Sequence, residues 1–302
     1  MKPTRIKLTG DLELSRIVHG HWRSAEWKLT DQQMLSLTEQ AVELGVNTFD
    51  HADIYGDYTC EKRFGDALRL KEGLRNHIRI VTKCGIKLVS EKYPERRIKY
   101  YDYGFEHIVA SVENSLRNFN TDRIDLLLLH RPAPFIDPEA VAKAFYYLRS
   151  SGKVLHFGVS NFSPEQFAML NAYTEEPLAT NQVEISPYCL HNFENGNMDF
   201  FLKEKIRPMA WSPLTGGRLL SPGDPKSARI NQTLEEIASE MNAPSVETVI
   251  FTWLLKHPAS IIPVTGTGKI DRIRLAVDAL HTDMSLEQWY RIYTASTGVA
   301  VP

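Results

Sequence analysis

Eight short apolar runs, separated by longer stretches of helical periodicity, limit what this chain can fold into. They are Ile17–Gly20, Asn47–Asp50, Ile78–Lys83, Ile124–His130, Val154–Ser160, Ala179–Val183, Ile206–Trp211 and Ile261–Val264. Strands covered on both faces read as near-continuous apolar runs, and their alternation with amphipathic segments is the pattern of a parallel sheet clad in helices. Eight such repeats close a (β/α)8 TIM barrel. The intervening segments support helices: Phe105, Ile108, Val109, Val112, Leu116 and Phe119 fall on one face at three- and four-residue steps. Ser163-Pro164-Glu165-Gln166 and Asp137-Pro138 combine a capping side chain with proline at the first helical position. The expected fold is therefore α/β, one domain over residues 1–302. Lys2–Leu14 is expected as a hairpin across the barrel bottom, and Ser285 onward as a C-terminal extension. Val89–Gly104 and Leu214–Arg229 read as long loops over the barrel mouth.

Composition narrows the class of partner. The chain is 43% hydrophobic and 24% charged with a formal net charge of −2, so it can bury a large core and has no global attraction for nucleic acid or acidic membranes. The first ten residues lack the apolar run of a signal peptide, and no uncharged apolar stretch nears the ~18 residues of a membrane span. The cytoplasm is the expected compartment. Cys60, Cys84 and Cys189 lack Cys-x-x-Cys spacing and suggest neither a disulfide framework nor a structural zinc site.

Chemistry-bearing residues recur at or just after the C-terminal ends of the runs. His21 and Trp22 follow the first, Asp50 and Tyr55 the second, and Lys83 and His130 end the third and fourth. Ser160 and Asn161 come at the fifth, Gln182 in the sixth, Trp211 and Ser212 at the seventh, Thr265 and Thr267 after the eighth. Any one has a bland explanation, since strands turn polar where they leave a core, but a barrel gathers all of these ends at the rim where such enzymes place their chemistry. Asp, Tyr, Lys and His in one pocket suit proton transfer to a carbonyl oxygen. A phenol near pKa ~10 needs adjustment. Lys83 is expected to stabilise the phenolate of Tyr55, Asp50 to hold the lysine charged, and His130 to hydrogen-bond the substrate oxygen.

The stretches Asn47-Thr48-Phe49-Asp50-His51-Ala52-Asp53-Ile54-Tyr55-Gly56, Phe157-Gly158-Val159-Ser160-Asn161-Phe162 and Trp211-Ser212-Pro213-Leu214 resemble the aldo-keto reductase superfamily, in the family's order and over nearly the whole chain. The resemblance implies NADPH-dependent reduction of aldehydes or ketones, with Asp50, Tyr55, Lys83 and His130 as the catalytic set. It further implies NADP(H) across the barrel mouth: Gly20 in the cofactor site, Ser160, Asn161 and Gln182 on the carboxamide, Trp211 stacked on the nicotinamide, Ser212, Leu214 and Arg218 along the pyrophosphate, and Thr267 and Arg272 by the 2′-phosphate. The absence of a Gly-x-Gly-x-x-Gly fingerprint argues against a Rossmann domain.

The sequence departs from the family at Leu275 and Ala276, where many members carry Glu-Asn toward adenine, and at Arg131, where several carry tryptophan. Trp22 and Arg131 are candidate substrate contacts for a small-molecule carbonyl compound, and no protein partner is implied. Two rival readings stand beside this one. His19-Gly20-His21 resembles the first ligand pair of metal-dependent amidohydrolase barrels, but Ser160, Gln182 and Thr265 occupy the positions of the other ligands, so no metal is expected. Nucleotide-binding regulatory subunits share the fold; the complete catalytic set and the lack of an appended N-terminal segment favour an enzyme.

Overall fold

The computed structural model describes residues 2–302. Twelve strands follow one another along the chain: β1 Arg5–Thr9, β2 Leu12–Ser15, β3 Val18–Gly20, β4 Thr48–Asp50, β5 Arg79–Cys84, β6 Ile86–Lys87, β7 Tyr100–Tyr101, β8 Leu126–Leu129, β9 Phe157–Ser160, β10 Asn181–Glu184, β11 Met209–Trp211 and β12 Ile262–Thr265. Eight of them, β3, β4, β5, β8, β9, β10, β11 and β12, form a closed parallel barrel in that order, β12 pairing back onto β3 through Val264–Val18 and Thr265–His19. Each expected run overlaps one barrel strand, and β5, β10 and β12 end one residue beyond theirs. Six of the eight strands are shorter than the runs because the chain turns apolar before it enters the ladder; Ile124 meets Val154 in an isolated bridge ahead of β8 and β9.

The interior is a packed core. Val18, Val81, Leu126, Leu128, Met209, Ile262 and Val264 fill it, and Leu12 and Leu14 of the antiparallel β1–β2 hairpin join the same cluster. The hairpin thus plugs the N-terminal end of the barrel, leaving the C-terminal end open for a site. The Arg16 guanidinium, buried and held below its ordinary pKa by desolvation, ties the hairpin to the carbonyls of Ser260 and Ile261 just before β12.

Three further apolar clusters fill the layer between barrel and helices. The helix Phe105–Phe119 buries Ile108, Val112, Leu116 and Phe119 as its periodicity demands. Ser163 with Gln166 makes the capping box expected of it, and Asp137 caps Pro138–Ser150. The same device operates where a loop was expected. Asp224 caps a helix that starts at Pro225 and runs to Glu240, inside the predicted loop Leu214–Arg229, because Asp-Pro fixes both the capping acceptor and the first helical φ. Val89–Gly104 is irregular except where β7 pairs with β6. The C-terminal extension is the helix Leu286–Thr297, held by Trp289 stacked on Trp253 with centroids 5.0 Å apart. Each of the two indole N–H groups donates to the other residue's carbonyl oxygen at 3.1 Å.

Candidate active site

Parallel pairing sets the register of the site. Gly20 pairs with Asp50, Asp50 with Val81, and Lys83 with Leu128, so Asp50 and Lys83 stand side by side near the open end. Both side chains are buried, at 3% and 1% exposure. The Lys83 ammonium donates to both carboxylate oxygens of Asp50 at 2.7 and 2.8 Å, to the His51 carbonyl at 2.7 Å and to the Tyr55 hydroxyl at 3.3 Å. Three short contacts saturate the ammonium, and the phenol is its loosest neighbour. His130 follows β8 with its ring 5.8 Å from that of Tyr55, edge to face. The four residues of the expected set therefore meet in one pocket.

Electrostatics assign each group a protonation state. Burial lowers the Lys83 pKa, opposed by Asp50. Burial also pushes the His130 imidazole well below its ordinary value, helped by the charges of Lys83, Arg131 and Lys99, so it is neutral at pH 7. The Tyr55 phenol is pushed well up, first by desolvation and then by the Asp50 carboxylate, with Arg131 opposing. The expected pull of Lys83 toward the phenolate does not set the direction: burial, reinforced by the Asp50 carboxylate, keeps Tyr55 a protonated donor.

A second set of bonds continues around the rim. The Trp211 indole N–H donates to Asn161 Oδ1 at 3.0 Å, Asn161 Nδ2 donates to Ser160 Oγ at 2.8 Å, and Ser160 Oγ donates to the Gln182 carbonyl at 2.8 Å. Gln182 Nε2 in turn donates to Asp50 Oδ1 at 2.8 Å. Trp211, Asn161, Ser160, Gln182, Asp50 and Lys83 thus form one network spanning five strand ends. Arg131 lies over the Trp211 ring at 5.6 Å. Its backbone is pinned by Tyr103, whose hydroxyl donates to the Arg131 carbonyl at 2.5 Å and accepts from its N–H at 3.0 Å. Tyr103 reaches that point only because residue 85 is glycine: φ is +104° and a Cβ there would sit 1.9 Å from the Tyr103 ring.

A sequence profile of the aldo/keto reductase family matches residues 16–296, from the end of the plug hairpin into the last helix. The chain belongs to the aldo/keto reductase family. It is 49% identical to an uncharacterized oxidoreductase of Bacillus subtilis (strain 168) over 298 residues, covering 99% of each chain. It is 43% identical to a 6-dehydroglucose reductase of Agrobacterium fabrum (strain C58 / ATCC 33970) over 300 residues, covering 98% of this chain and 99% of that one. Among solved structures, glycerol dehydrogenase from Gluconobacter oxydans shares the fold with a TM-score of 0.85 at 24% identity, covering 99% of this chain and 97% of that one.

In this aldo/keto reductase the remaining rim residues divide. Trp22 is 59% exposed and sits beside Arg23, so it is free of the core packing that would otherwise explain an aromatic at a strand end. Ser212 turns the chain after β11 with φ +55°. Leu214 is partly buried and packs against two core clusters. Gly20 is needed by the barrel itself, since a Cβ would lie 2.8 Å from Val264 Cγ1. Arg218 lies 5.0 Å over the Tyr188 ring. Thr267 Oγ1 accepts from the Lys269 N–H, and Arg272 faces Glu247 at 3.5 Å. Ala276 is fully buried in the core and cannot reach a nucleotide.

Donor capacity at the rim suits a dinucleotide. Gln182 Oε1 has no hydrogen-bond partner among the described residues and can accept from a carboxamide, the Trp211 ring is partly exposed with its edge fixed, and Arg218 and Arg272 supply cations farther along.

His19 and His21 point away from this mouth. With His51 they stack between the barrel and the helices against Trp27, Phe49 and Phe64, with His21–His51 ring centroids 4.3 Å apart. Among the described residues no group of three or more His, Cys, Asp or Glu side chains is disposed to hold a metal ion, and no helix among them is long and apolar enough to cross a membrane. Sequence reasoning missed Glu61. It is buried and accepts hydrogen bonds from Thr82 at 2.6 Å, Ser115 at 2.9 Å and Asn118 at 3.1 Å. The available signal was its spacing with Phe64, Gly65 and Leu68 on the buried face of Cys60–Leu68.

Proposed function

We propose that this protein is an NADPH-dependent carbonyl reductase that converts an aldehyde or ketone to the alcohol, with Tyr55 as proton donor. The observation that carries the reading is the Tyr55 hydroxyl held 3.3 Å from a buried, charge-paired Lys83, with the His130 ring 5.8 Å from its own. The cofactor, when bound, supplies a hydride to the carbonyl carbon. Trp211 would stack on its nicotinamide, Gln182 Oε1, Asn161 and Ser160 would face its carboxamide, and the backbone of Gly20, Ser212 and Leu214 with Arg218, Thr267 and Arg272 would follow its phosphates.

Each residue then has one task. His130 donates a hydrogen bond to the carbonyl oxygen and polarises the C=O bond. Tyr55 Oη transfers its proton to that oxygen as charge develops there, so that one hydride and one proton account for the alcohol. The tyrosinate left behind is held by the Lys83 ammonium until water returns the proton. Asp50 and Gln182 keep the ammonium charged and aimed, so no side chain has to reorganise during the transfer.

The substrate proposed is a polar, hydroxyl-bearing aldehyde. Among the described residues Arg131 makes no ion pair or side-chain hydrogen bond, and it lies at the reacting centre, where its donors suit an oxygen-rich compound. The Agrobacterium fabrum relative is a 6-dehydroglucose reductase, which agrees with that class.

The test follows loss of nicotinamide absorbance with NADPH and with NADH, using an aromatic aldehyde and a sugar-derived aldehyde, for wild type and Tyr55→Phe. Turnover that falls by about 10²–10⁴-fold in the variant while NADPH still binds supports the reading. Tight nucleotide binding with no turnover of any carbonyl by wild type would replace it with a nucleotide-sensing role.

A further inference from the structure

The residues that follow Tyr55 adopt a backbone their side chains disfavour. Gly56, Asp57 and Tyr58 have φ of +57°, +51° and +62°, three consecutive left-handed residues of which two carry a Cβ. Such a run does not persist by its own preference, least of all at a bulky tyrosine. Something must hold it.

What holds it is the irregular segment between β6 and β7. The Lys92 ammonium donates to the carbonyls of Asp57 at 2.6 Å and Tyr58 at 3.3 Å, two of the three left-handed residues. The Tyr58 hydroxyl accepts from the Leu88 N–H at 3.0 Å and from the Arg96 guanidinium at 2.9 Å. Arg96 lies flat on Tyr93, 3.6 Å from its ring centroid, and Tyr93 meets Tyr58 edge to face at 5.0 Å. The segment is not simply packed down on the barrel. A cavity of about 310 Å³ lies beneath it, lined by Asp53, Tyr58, Glu61, Arg96 and His107 among others, so its grip on the turn is made by these polar fastenings.

We propose that Leu88–Arg96 is a clamp that positions the proton donor, with Arg96, Tyr58 and Lys92 as positioning residues. By fixing the left-handed turn, the clamp sets the Tyr55 hydroxyl against Lys83, the loosest of the four ammonium contacts and therefore the one most sensitive to the turn. Lys99, whose charge bears on His130, belongs to the same connection, so the strap runs from the back of Tyr55 to the substrate side of the pocket. The proposal rests on the reductase reading with Tyr55 as donor.

The experiment compares wild type, Arg96→Met, Arg96→Lys, Tyr58→Phe, Lys92→Met and Tyr55→Phe. It records kcat, KM for NADPH and for aldehyde, and the pH profile of kcat. Hydrogen exchange is followed over residues 54–64, where the Thr59 amide donates to the Tyr55 carbonyl. Misplacing a reacting group by about 1 Å costs on the order of 10²-fold, so Arg96→Met and Tyr58→Phe should lose about 10- to 100-fold in kcat with both KM values nearly unchanged. Faster exchange at 54–64, a displaced alkaline limb and partial recovery in Arg96→Lys are expected with that loss. Lys92→Met, an exposed change that spares the core, should move all readouts the same way by a smaller factor, and it decides the matter if Arg96→Met fails to fold. Wild-type kcat, pH profile and exchange in Tyr58→Phe and Lys92→Met would overturn the clamp while Tyr55→Phe remained inactive. No turnover by wild type would instead sink the reductase reading; the clamp then stands or falls on exchange at 54–64 alone.

Discussion

Replacing Lys83 by methionine keeps an unbranched apolar stem in a fully buried slot and removes the charge together with its hydrogen-bond donors. Asp50 would lose its two ammonium contacts at 2.7 and 2.8 Å and keep only the Gln182 amide at 2.8 Å. Breaking a buried pair by deleting one partner costs about 3–5 kcal/mol, because the survivor is an uncompensated charge in a dry site. That loss is expected at pH 7 in urea unfolding followed by tryptophan fluorescence. Asp50→Asn in the Lys83→Met background should recover more than half of it at pH 7, because the neutral amide leaves no charge unpaired. Equal unfolding midpoints at pH 7, or no recovery in the double variant, would falsify the dry, charge-paired site on which the proton-transfer argument depends.

Two further outcomes follow from other parts of the molecule. His19, His21 and His51 are buried without charge, and desolvation pushes His19 down to about 4 and the other two well below their ordinary value. The unfolded chain takes up these protons near pH ~6.5 and the folded one does not, so stability is lost as pH falls below that point. His19 alone accounts for about 3 kcal/mol by pH 4, and a urea midpoint that stays flat from pH 7 to pH 4.5 would contradict the burial. Arg272→Ala should raise KM for NADPH about 10-fold and leave that for NADH within about 2-fold, as expected for loss of one charge-assisted phosphate contact; equal effects on both cofactors would remove Arg272 from the 2′-phosphate.

Much of this was legible in the residues because barrel strands have few alternatives. An apolar run such as Ile124–Leu129 that ends in histidine can only be buried along its length and polar at one end, and eight such ends converge wherever the sheet closes. Helix starts were equally plain at Ser163 and Asp137. Asp224-Pro225 carries the same signal, but surrounding Gly, Ser and Pro masked it. Side-chain allegiance was not legible. Nothing in the spacing of Asp50, Tyr55 and Lys83 reveals that the carboxylate holds the ammonium closer than the phenol does, or that burial, reinforced by Asp50, pushes the Tyr55 phenol up. Nor does sequence separate His21, stacked in the wall, from His130, open to the pocket, since both follow a strand by one residue.

The plug at the closed end of the barrel has a consequence for synthesis. Leu12 and Leu14 must seat among side chains that include Ile262 and Val264, while Arg16 grips the carbonyls of Ser260 and Ile261. The hairpin leaves the ribosome roughly 250 residues before its anchor on β12. At about 5–20 residues per second, it waits on the order of 10–50 seconds for that anchor. During that interval β3 has an unpaired edge and the nascent sheet is open on one side, the state most exposed to pairing with another chain. A cell making this protein quickly would load its chaperones in proportion to that delay, and shortening the delay by circular permutation near the plug is the route to a version that needs them less.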